Sequence, residues 1–572
     1  MSAVDAERLM QENEQTFTAM LAVAEDHLRA DDEAAGFVAC ELAAQFASHN
    51  HPGFFASLEL EDLVSVIASR LAQTPPGSAP APKAVETVLH VMTEAYPTGG
   101  HSRLVQRWIE QDPSRRHSLV VTSPYETIPD WLVAAVRSAS GTVTQLLSES
   151  DLTARVESLR AISAAHDITL LSTHPFDCLP LMAFGGRTDR PPVAFIDHRD
   201  HVFWVGRQAA DLVVHLGDAG RRLGERRRGL SPSSTTVLPI PLGRVTRALA
   251  RGDAKAAFGL RDSNLVLCTT ATGQKYTQLG DVNFLDLVTD VVVRHPEVVL
   301  LAAGVEPNAR WDSAAQATGG RIRALGLLEN VEVQLDAADI YLDSYPVASN
   351  TSLLEAGVRA TPVVVFDPGP PSLGVLRAGE PGSGGGVSRA RDVASYQATL
   401  EELIADGALR HRSGAQLADE VAAAHTGPGW LTACERVYSS LVASPRGASP
   451  GGVSPSHLRD ELDEALSRLA REQPHSLERL VALRVLRSAR AVALPSSRAA
   501  AGVTRQIAEG NAFGLETRLA DVQAAADGLK EERAELQAGI EAMAAYIDAL
   551  HHTVSWRATA PLRRLRPRRR QR

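Results

Sequence analysis

The sequence predicts an α/β protein with two successive Rossmann-like parallel-sheet domains that face each other, an all-α N-terminal region and a C-terminal coiled coil. Two observations predict the sheets: short apolar runs alternate with helical stretches from residue 86 onward, and this alternation restarts after Pro239. Continuous apolar runs are typical of strands that are buried on both faces of a parallel sheet. A heptad pattern over 515–550 predicts the coiled coil.

A chain of 572 residues is too long for a single core, so several structural units are expected. Stretches rich in Pro, Gly and Ser at 74–82 and 443–455 are typical of linkers. The predicted units are a helical N-terminal region (1–75), a first Rossmann-like domain (86–238), a second one (239–442), a helical and coiled-coil region (457–550) and a basic tail (551–572).

Each element follows from a local pattern. Apolar residues at helical spacing, such as Phe17, Met20 and Leu21, predict helices within 3–73. In the first domain, strands are predicted at 88–93, 117–122, 168–172, 192–196 and 212–216, with helices at 104–109 and 131–136. In the second domain, strands are predicted at 265–270, 298–303, 331–334, 340–342 and 362–366, with helices at 285–293, 351–358 and 430–441.

The coiled-coil prediction rests on apolar residues that recur every seven positions from Leu515 to Leu550. Only Arg533 interrupts the apolar seam, so we expect homo-oligomerisation through 515–550, with two strands as the simplest arrangement. The tail 555–572 combines Trp556 and Leu562 with many arginines. It is expected either to contact an anionic membrane surface peripherally or to serve as a solubilising tail.

Composition limits the classes of function. The formal net charge of −10 argues against general nucleic-acid binding, which usually needs a basic face. Four scattered cysteines without zinc spacing, an acidic start without a signal-peptide core and the lack of a long apolar run predict a reduced, cytoplasmic setting. Arginines 221, 222 and 226–228 form a basic run, interpreted as a solvated helix face or a contact for an anionic acceptor or lipid.

The second domain carries a pattern suited to a diphosphate, at 268–275 and 348–355. A predicted strand ends, small residues follow, and a helix begins near Asn350, where free N–H groups and the helix dipole favour anions. Thr351 and Ser352 add hydroxyl donors, and Lys275 adds a cation from a neighbouring strand end. Glu355, one turn later, can accept ribose hydroxyls. The alternative is an ordinary helix cap before a core helix.

Four histidines of the first domain are candidate site residues. Gly99 and Gly100 permit close approach to a ligand, and His101 could act as general base or bond to sugar or phosphate; the alternative is a turn with a surface histidine. Three more, His174, His198 and His201, follow predicted strands and are candidate sugar or acceptor contacts. His198 and His201 could also form a metal pair, but no third ligand is evident, so no metal is predicted.

The stretches 338–346, 350–357 and 361–364 together resemble the donor-binding half of GT-B glycosyltransferases, nearest to the O-GlcNAc-transferase-like branch. The resemblance covers roughly 86–442. It implies that Lys275, with Thr272 and Gly273 in the same loop, contacts the nucleotide diphosphate. It also implies phosphate contacts for the residues from Asn350 to Ser352 and a ribose contact for Glu355. The 99–101 loop resembles the first-domain loop of these enzymes, and the 555–563 segment resembles tails of bacterial surface-polysaccharide transferases.

The resemblance implies a hexosyl- or N-acetylhexosaminyltransferase that uses a UDP- or GDP-linked donor as substrate, with no cofactor. The implied acceptor is a glycan, lipid-linked or protein hydroxyl, in cell-surface glycan or glycoconjugate synthesis. Two departures argue against protein O-GlcNAcylation: Asn350 stands where the branch usually has His or Thr, and no 34-residue repeat occurs in 1–85. A nucleotide-sugar epimerase and a non-catalytic scaffold of polysaccharide assembly remain alternatives.

Overall fold

The computed structural model describes residues 3–472 apart from 72–81, 98, 124–126, 147–150, 244–246, 329, 380–381, 383, 448–454 and 457. The predicted coiled coil over 515–550 and the basic tail over 551–572 lie outside the described residues. No helix of the described part is long and apolar enough to cross a bilayer.

The N-terminal region is all-α, as predicted, with helices α1 (Ala3–Arg29), α2 (Glu33–His49) and α3 (Leu58–Leu71). Asp32 caps α2 by accepting a hydrogen bond from the Ala35 N–H at 3.0 Å. The buried Glu61 carboxylate of α3 accepts backbone N–H groups of 206, 207 and 208 at 2.8–2.9 Å. These bonds join the N-terminal helices to the first sheet domain.

The first domain contains a seven-stranded sheet in the order β3-β2-β1-β4-β5-β6-β7, in which every neighbouring pair is parallel. Its strands are β1 (Thr87–Met92), β2 (Arg116–Val121), β3 (Val143–Gln145), β4 (Ile168–Ser172), β5 (Val193–Asp197), β6 (Leu212–His215) and β7 (Thr235–Val237). Its helices are α4 (Gly100–Gln111), α5 (Asp130–Ser138), α6 (Leu152–Ala164), α7 (Leu179–Phe184) and α8 (Asp218–Arg227).

The second domain contains a six-stranded parallel sheet in the order β10-β9-β8-β11-β12-β13. Its strands are β8 (Leu265–Thr270), β9 (Val298–Ala303), β10 (Ile322–Ala324), β11 (Ile340–Leu342), β12 (Val363–Phe366) and β13 (Val387–Ala390). The helices from here on are α9 (Arg251–Ala257), α10 (Phe284–Arg294), α11 (Ala309–Ala317), α12 (Glu332–Ala337), α13 (Asn350–Gly357), α14 (Val393–Ala405), α15 (Gly407–His425), α16 (Gly427–Ala443) and α17 (Glu461–Glu472). The predicted pair of doubly wound α/β sheets is therefore confirmed.

Both sheets reverse their strand order at one point, between β1 and β4 in the first and between β8 and β11 in the second. Ligands of open parallel sheets bind outside the carboxyl ends of the strands at such a switch point. In the second sheet, the loop after β8 carries Lys275 and the loop after β11 leads to Asn350. In the first sheet, β1 leads to Gly99 and β4 leads to His174. The topology thus directs Lys275 and Asn350 to the switch point of the second sheet, and Gly99 and His174 to that of the first.

The predicted strand at 331–334 is wrong, because helix α12 occupies this stretch. The Gln334 side chain is fully buried beneath β8 and β9, where it donates to the carbonyls of Thr269 (3.1 Å) and Leu301 (2.9 Å). An alternating run this short fits either a strand or a helical turn, so the sequence pattern does not distinguish them. Tertiary hydrogen bonds determine the conformation here.

Helix α16, placed by the predicted boundaries in the second domain, packs its apolar face into the core of the first. Trp430 lies edge-to-face against Trp108 with ring centroids 5.7 Å apart. The Tyr438 hydroxyl accepts the Trp108 Nε1–H at 2.8 Å and donates to Asp112 at 3.0 Å. The chain therefore returns to the first domain after completing the second.

The basic run on α8 does not form a single solvated face, which corrects that interpretation. Arg222 and Arg226 are exposed, but Arg227 and Arg228 are buried. Arg227 bonds to the Asp463 carboxylate of α17 at 2.9 Å, and Asp463 also contacts His51 at 2.8 Å. Arg228 donates to the carbonyl of Asp200 at 2.8 Å. Two of the five arginines are therefore structural.

Candidate active site

One cavity of about 1370 Å³ lies at the carboxyl ends of both sheets and is lined by residues of both Rossmann-like domains and of α2. All of the predicted site residues except Gly273 line it. Gly273 is exposed in the short 3-10 helix Gly273–Tyr276, and open space surrounds the position of an added Cβ. Its contact with the donor diphosphate stays a prediction, whereas Thr272 and Lys275 of the same loop line the cavity.

Lys275 connects the two predicted donor-binding segments. Its Nζ donates to the Ala348 carbonyl at 2.6 Å, two residues before α13 begins. Tyr276 anchors the loop in the core, where its hydroxyl bonds to the Thr269 hydroxyl at 2.8 Å. Burial lowers the pKa of Lys275, while the carboxylates of Asp343 and Asp200 oppose that shift. The ammonium group therefore faces the cavity beside the start of α13.

Asp343 organises the loop between β11 and α13. Its Oδ1 accepts the backbone N–H of Ser349 at 2.9 Å. Burial raises the pKa of Asp343 to about 6, although the Ser349 N–H and the Lys275 ammonium favour its charged form. This carboxylate fixes the chain that precedes Asn350, a role that the sequence pattern did not assign.

Two helices begin at the cavity without a side-chain cap. Neither Gly99 before α4 nor Ser349 before α13 supplies a capping hydrogen bond. A Cβ added at Gly100 would lie 3.2 Å from the Thr351 hydroxyl, so the two helix starts approach each other across the cleft. Exposed first-turn N–H groups and the positive end of the helix dipole favour anions. The anion site at 350–352 and the simple-cap alternative both stay predictions.

Glu355 lies one turn into α13, and its carboxylate forms an ion pair with Arg107 of α4. Both side chains are largely buried and both line the cavity. The pair joins the two domains beside the helix starts. A carboxylate oriented by this guanidinium remains available to further hydrogen-bond donors in the cavity.

His101 lies in the first turn of α4, and its Nε2 bonds to the Ser172 carbonyl at 2.7 Å. A carbonyl only accepts, so Nε2 carries the proton and Nδ1 is left with a lone pair. The ring stacks on His198 with centroids 4.3 Å apart. Burial lowers the pKa of His101 to about 4 and lowers that of His198 well below its usual range. His101 is therefore neutral at neutral pH.

The other predicted contacts extend this wall of the cavity. His174 stacks on Tyr96 with centroids 5.9 Å apart and approaches Phe176 at 5.3 Å. His198 Nδ1 donates to the Ile196 carbonyl at 3.2 Å, and His201 lies beside the Asp200 carboxylate at 3.4 Å. Within the described ranges, no group of three or more His, Cys, Asp or Glu side chains is arranged to hold a metal ion.

Several cavity residues escaped the sequence analysis. Gln45 and His49 of α2 line the cavity, and no local pattern marks them because they lie far from both sheets in sequence. Arg107 was hidden in an ordinary amphipathic helix. Arg199 stands between the two histidines of the 198–201 segment, so its position could have been read from the same strand-end signal.

Two doubly wound parallel domains whose strand ends meet at one cavity form an α/β arrangement like that of GT-B enzymes. No protein-family profile matches the chain, and no curated protein sequence matches it either.

Similar solved structures include three glycosyltransferases. HepE from Anabaena in complex with UDP and glucose is 12% identical over 63% of this chain and 99% of that chain, with a TM-score of 0.47. A glycosyltransferase from Rickettsia africae is 10% identical over 63% and 99%, with a TM-score of 0.48. A variant of the O-GlcNAc transferase from Thermobaculum terrenum is 15% identical over 72% and 81%, with a TM-score of 0.44. This likeness concerns the fold alone.

Proposed function

We propose that the protein is a glycosyltransferase that moves a hexosyl or N-acetylhexosaminyl group from a UDP- or GDP-linked donor to an acceptor hydroxyl. The observation that carries the proposal is the convergence of Lys275 with the uncapped start of α13, opposite the uncapped start of α4, in one cavity. Two helix dipoles and one ammonium group match the charge of a diphosphate.

Transfer breaks the bond between the anomeric carbon and the diphosphate, so negative charge builds up on the leaving oxygen. Lys275 and the N–H groups at 350–352 stabilise that charge, and they are fixed before the reaction begins. Preorganised donors of this kind are the main source of rate enhancement in many enzymes. Glu355 binds the ribose, held in orientation by Arg107.

The neutral ring of His101 presents its Nδ1 to the cavity as a hydrogen-bond acceptor. A pKa near 4 makes it a weak general base at neutral pH, so we assign it first to positioning a sugar or acceptor hydroxyl. His174, His198 and His201 contact the sugar or acceptor from the same side. We place the acceptor among glycans, lipid-linked sugars or proteins, in cell-surface glycan synthesis.

The test is calorimetric titration of the full chain with UDP and GDP, combined with a hydrolysis assay on the matching nucleotide sugars. We expect one nucleotide to bind and Lys275→Met to weaken it by about tenfold or more, because a charge-assisted contact is lost. Lys83→Met, at an exposed lysine outside the cavity, is the matched control. If neither nucleotide binds, the proposed function is contradicted and the non-catalytic scaffold is the alternative that remains.

A nucleotide-sugar epimerase is the second candidate, favoured by carboxylates that line the cavity: Glu110, Asp197, Asp200, Glu332 and Glu355. Of these, Glu355 is already assigned to the ribose, and Asp197 pairs with His215 at 3.0 Å. Incubation with donor alone separates the two activities. An epimerase converts the donor sugar without acceptor, whereas a transferase yields only slow hydrolysis.

A further inference from the structure

The basic side chains that line the cavity differ in one respect, which is whether the protein itself supplies a partner. Arg107 pairs with Glu355, and Arg359 pairs with Asp336 at 3.1 Å. Arg103 donates to Gln106 at 2.7 Å, and Lys275 donates to the Ala348 carbonyl at 2.6 Å. Arg199 has no hydrogen-bond or ion-pair partner among the residues that the structure describes.

Arg199 lies in the loop that follows β5 and is only partly exposed. A partly buried guanidinium without a counter-charge is costly, and buried charges in proteins are normally paired. Burial lowers the pKa of Arg199, as expected for a cation that no carboxylate compensates. An anionic ligand group would supply the missing partner.

The position of Arg199 assigns that anion to the acceptor side. The positive charge of Arg199 helps to lower the pKa of His101, and Tyr96 partly opposes the lowering of the pKa of Arg199. Both neighbours belong to the first domain. From Tyr96 a row of rings continues through His174 and Phe176 to His49, with successive centroids 5.9, 5.3 and 6.2 Å apart. The row ends at α2 of the N-terminal region, whereas Lys275 belongs to the second domain.

We propose that Arg199 binds a carboxylate or phosphate group of the acceptor, in a subsite that Gln45 and His49 of α2 also line. The acceptor is then an anionic sugar or sugar phosphate, with its ring against the row that includes Tyr96 and Phe176. Aromatic faces are suited to the apolar faces of sugar rings, and a guanidinium matches carboxylate or phosphate with two parallel hydrogen bonds. This inference rests on the proposed glycosyl transfer.

The experiment measures binding of matched neutral and anionic sugars to the full chain by saturation-transfer NMR, at constant ionic strength and with UDP or GDP present. The probes are glucose, galactose and mannose, each with its uronic acid and its 6-phosphate. We expect at least one anionic member to bind about tenfold tighter than its neutral counterpart. Arg199→Gln removes that preference, and Arg137→Gln, at an exposed arginine of α5, retains it.

Measuring nucleotide affinity distinguishes a failure of this inference from a failure of the proposed function. The affinity of Arg199→Gln for UDP or GDP is expected to stay within about twofold of the native value, since the donor diphosphate is bound by Lys275. Equal binding of neutral and anionic sugars, or a loss of nucleotide affinity as large as in Lys275→Met, overturns the inference. If no nucleotide binds but the Arg199-dependent preference persists, the anion subsite stands and glycosyl transfer fails.

Discussion

Gly100 of α4 and Thr351 of α13 belong to different domains, yet a Cβ on Gly100 would lie 3.2 Å from the Thr351 hydroxyl. The starts of two uncapped helices therefore come together at one point of the cavity. A glycine at this point permits the approach, and any larger side chain would compete with it for the same space. The contact defines how closely the two halves of the proposed diphosphate site can converge.

Gly100→Val is expected to weaken UDP or GDP binding by about tenfold while leaving the free energy of unfolding within ~1 kcal/mol, because the added branches separate the two helix starts. Calorimetric titration and urea denaturation measure the two quantities. Gly384→Val is the control, since open space surrounds an added Cβ at that exposed glycine. Unchanged nucleotide affinity in Gly100→Val would show that the two helix starts do not share one ligand.

Glu355 provides a test of ribose recognition. The native protein is expected to prefer UDP over 2′,3′-dideoxy-UDP (or the GDP pair, if GDP is the nucleotide bound) by about tenfold or more, because hydrogen bonds to a carboxylate contribute roughly 1.5–3 kcal/mol. Glu355→Gln should reduce this preference strongly, and Arg107→Ala should reduce it less, since the carboxylate then loses only its orientation. Glu402→Gln, on an exposed face of α14, serves as control. Equal ratios in the native protein and in Glu355→Gln contradict the assignment.

Much of the fold could be predicted because strands that are buried in a parallel sheet appear in the sequence as continuous apolar runs. The runs at 88–93 and 265–270 correspond to β1 and β8. The prediction missed all four edge strands, β3 and β7 of the first sheet and β10 and β13 of the second. These strands are short and contain polar residues, because one side of an edge strand has no neighbouring strand to cover it. Local patterning specifies the centre of each sheet better than its borders.

The candidate site shows the same division. Lys275 and Asn350 could be associated because strand ends of one parallel sheet meet at the switch point. The pairing of Arg107 with Glu355, 248 residues apart, depends on how two domains face each other, and no local pattern records it. The contribution of Gln45 depends on the docking of α2, a helix that is buried on nearly all sides and carries no local sign of a cavity. Contacts within one sheet are therefore predictable, and contacts between units are not.

The pairing of the buried Asp463 carboxylate with Arg227 and His51 predicts that loss of this carboxylate strongly lowers stability. This buried carboxylate of α17 bonds to Arg227 of the first domain and to His51 of the N-terminal region, which together hold its pKa down to about 2. Asp463→Ala leaves Arg227 buried without a partner, so we expect unfolding to become easier by about 3–5 kcal/mol. Chemical denaturation at pH 7 measures the loss, with Glu464→Ala, on a more exposed position of α17, as control.

If Asp463→Ala lowers the free energy of unfolding no more than Glu464→Ala does, the stabilising role of the Asp463 contacts is contradicted. The depressed pKa also fixes the direction of its pH dependence. The contribution of Asp463 is complete above pH 3.8, the ordinary pKa of the group, and is lost as the pH falls towards about 2.

The folded-state pKa of His101 predicts a separate pH dependence at higher pH. In the unfolded chain the imidazole takes up a proton near pH 6.5, whereas the folded protein resists protonation until about pH 4. Between these values the unfolded state binds more protons, so the free energy of unfolding falls as the pH is lowered. Across this whole pH interval, the titration of His101 lowers the free energy of unfolding by on the order of 3 kcal/mol.

His101→Asn and His101→Gln remove this titration while keeping an amide that can donate to the Ser172 carbonyl. The stability of the native protein relative to either variant should therefore fall from pH 7 to pH 4.5, with the same slope for both. Urea denaturation at a series of pH values measures the difference. A difference that stays constant over this range would mean that His101 protonates in the folded state as freely as in the unfolded one, and its assignment as a buried neutral hydrogen-bond acceptor would fail.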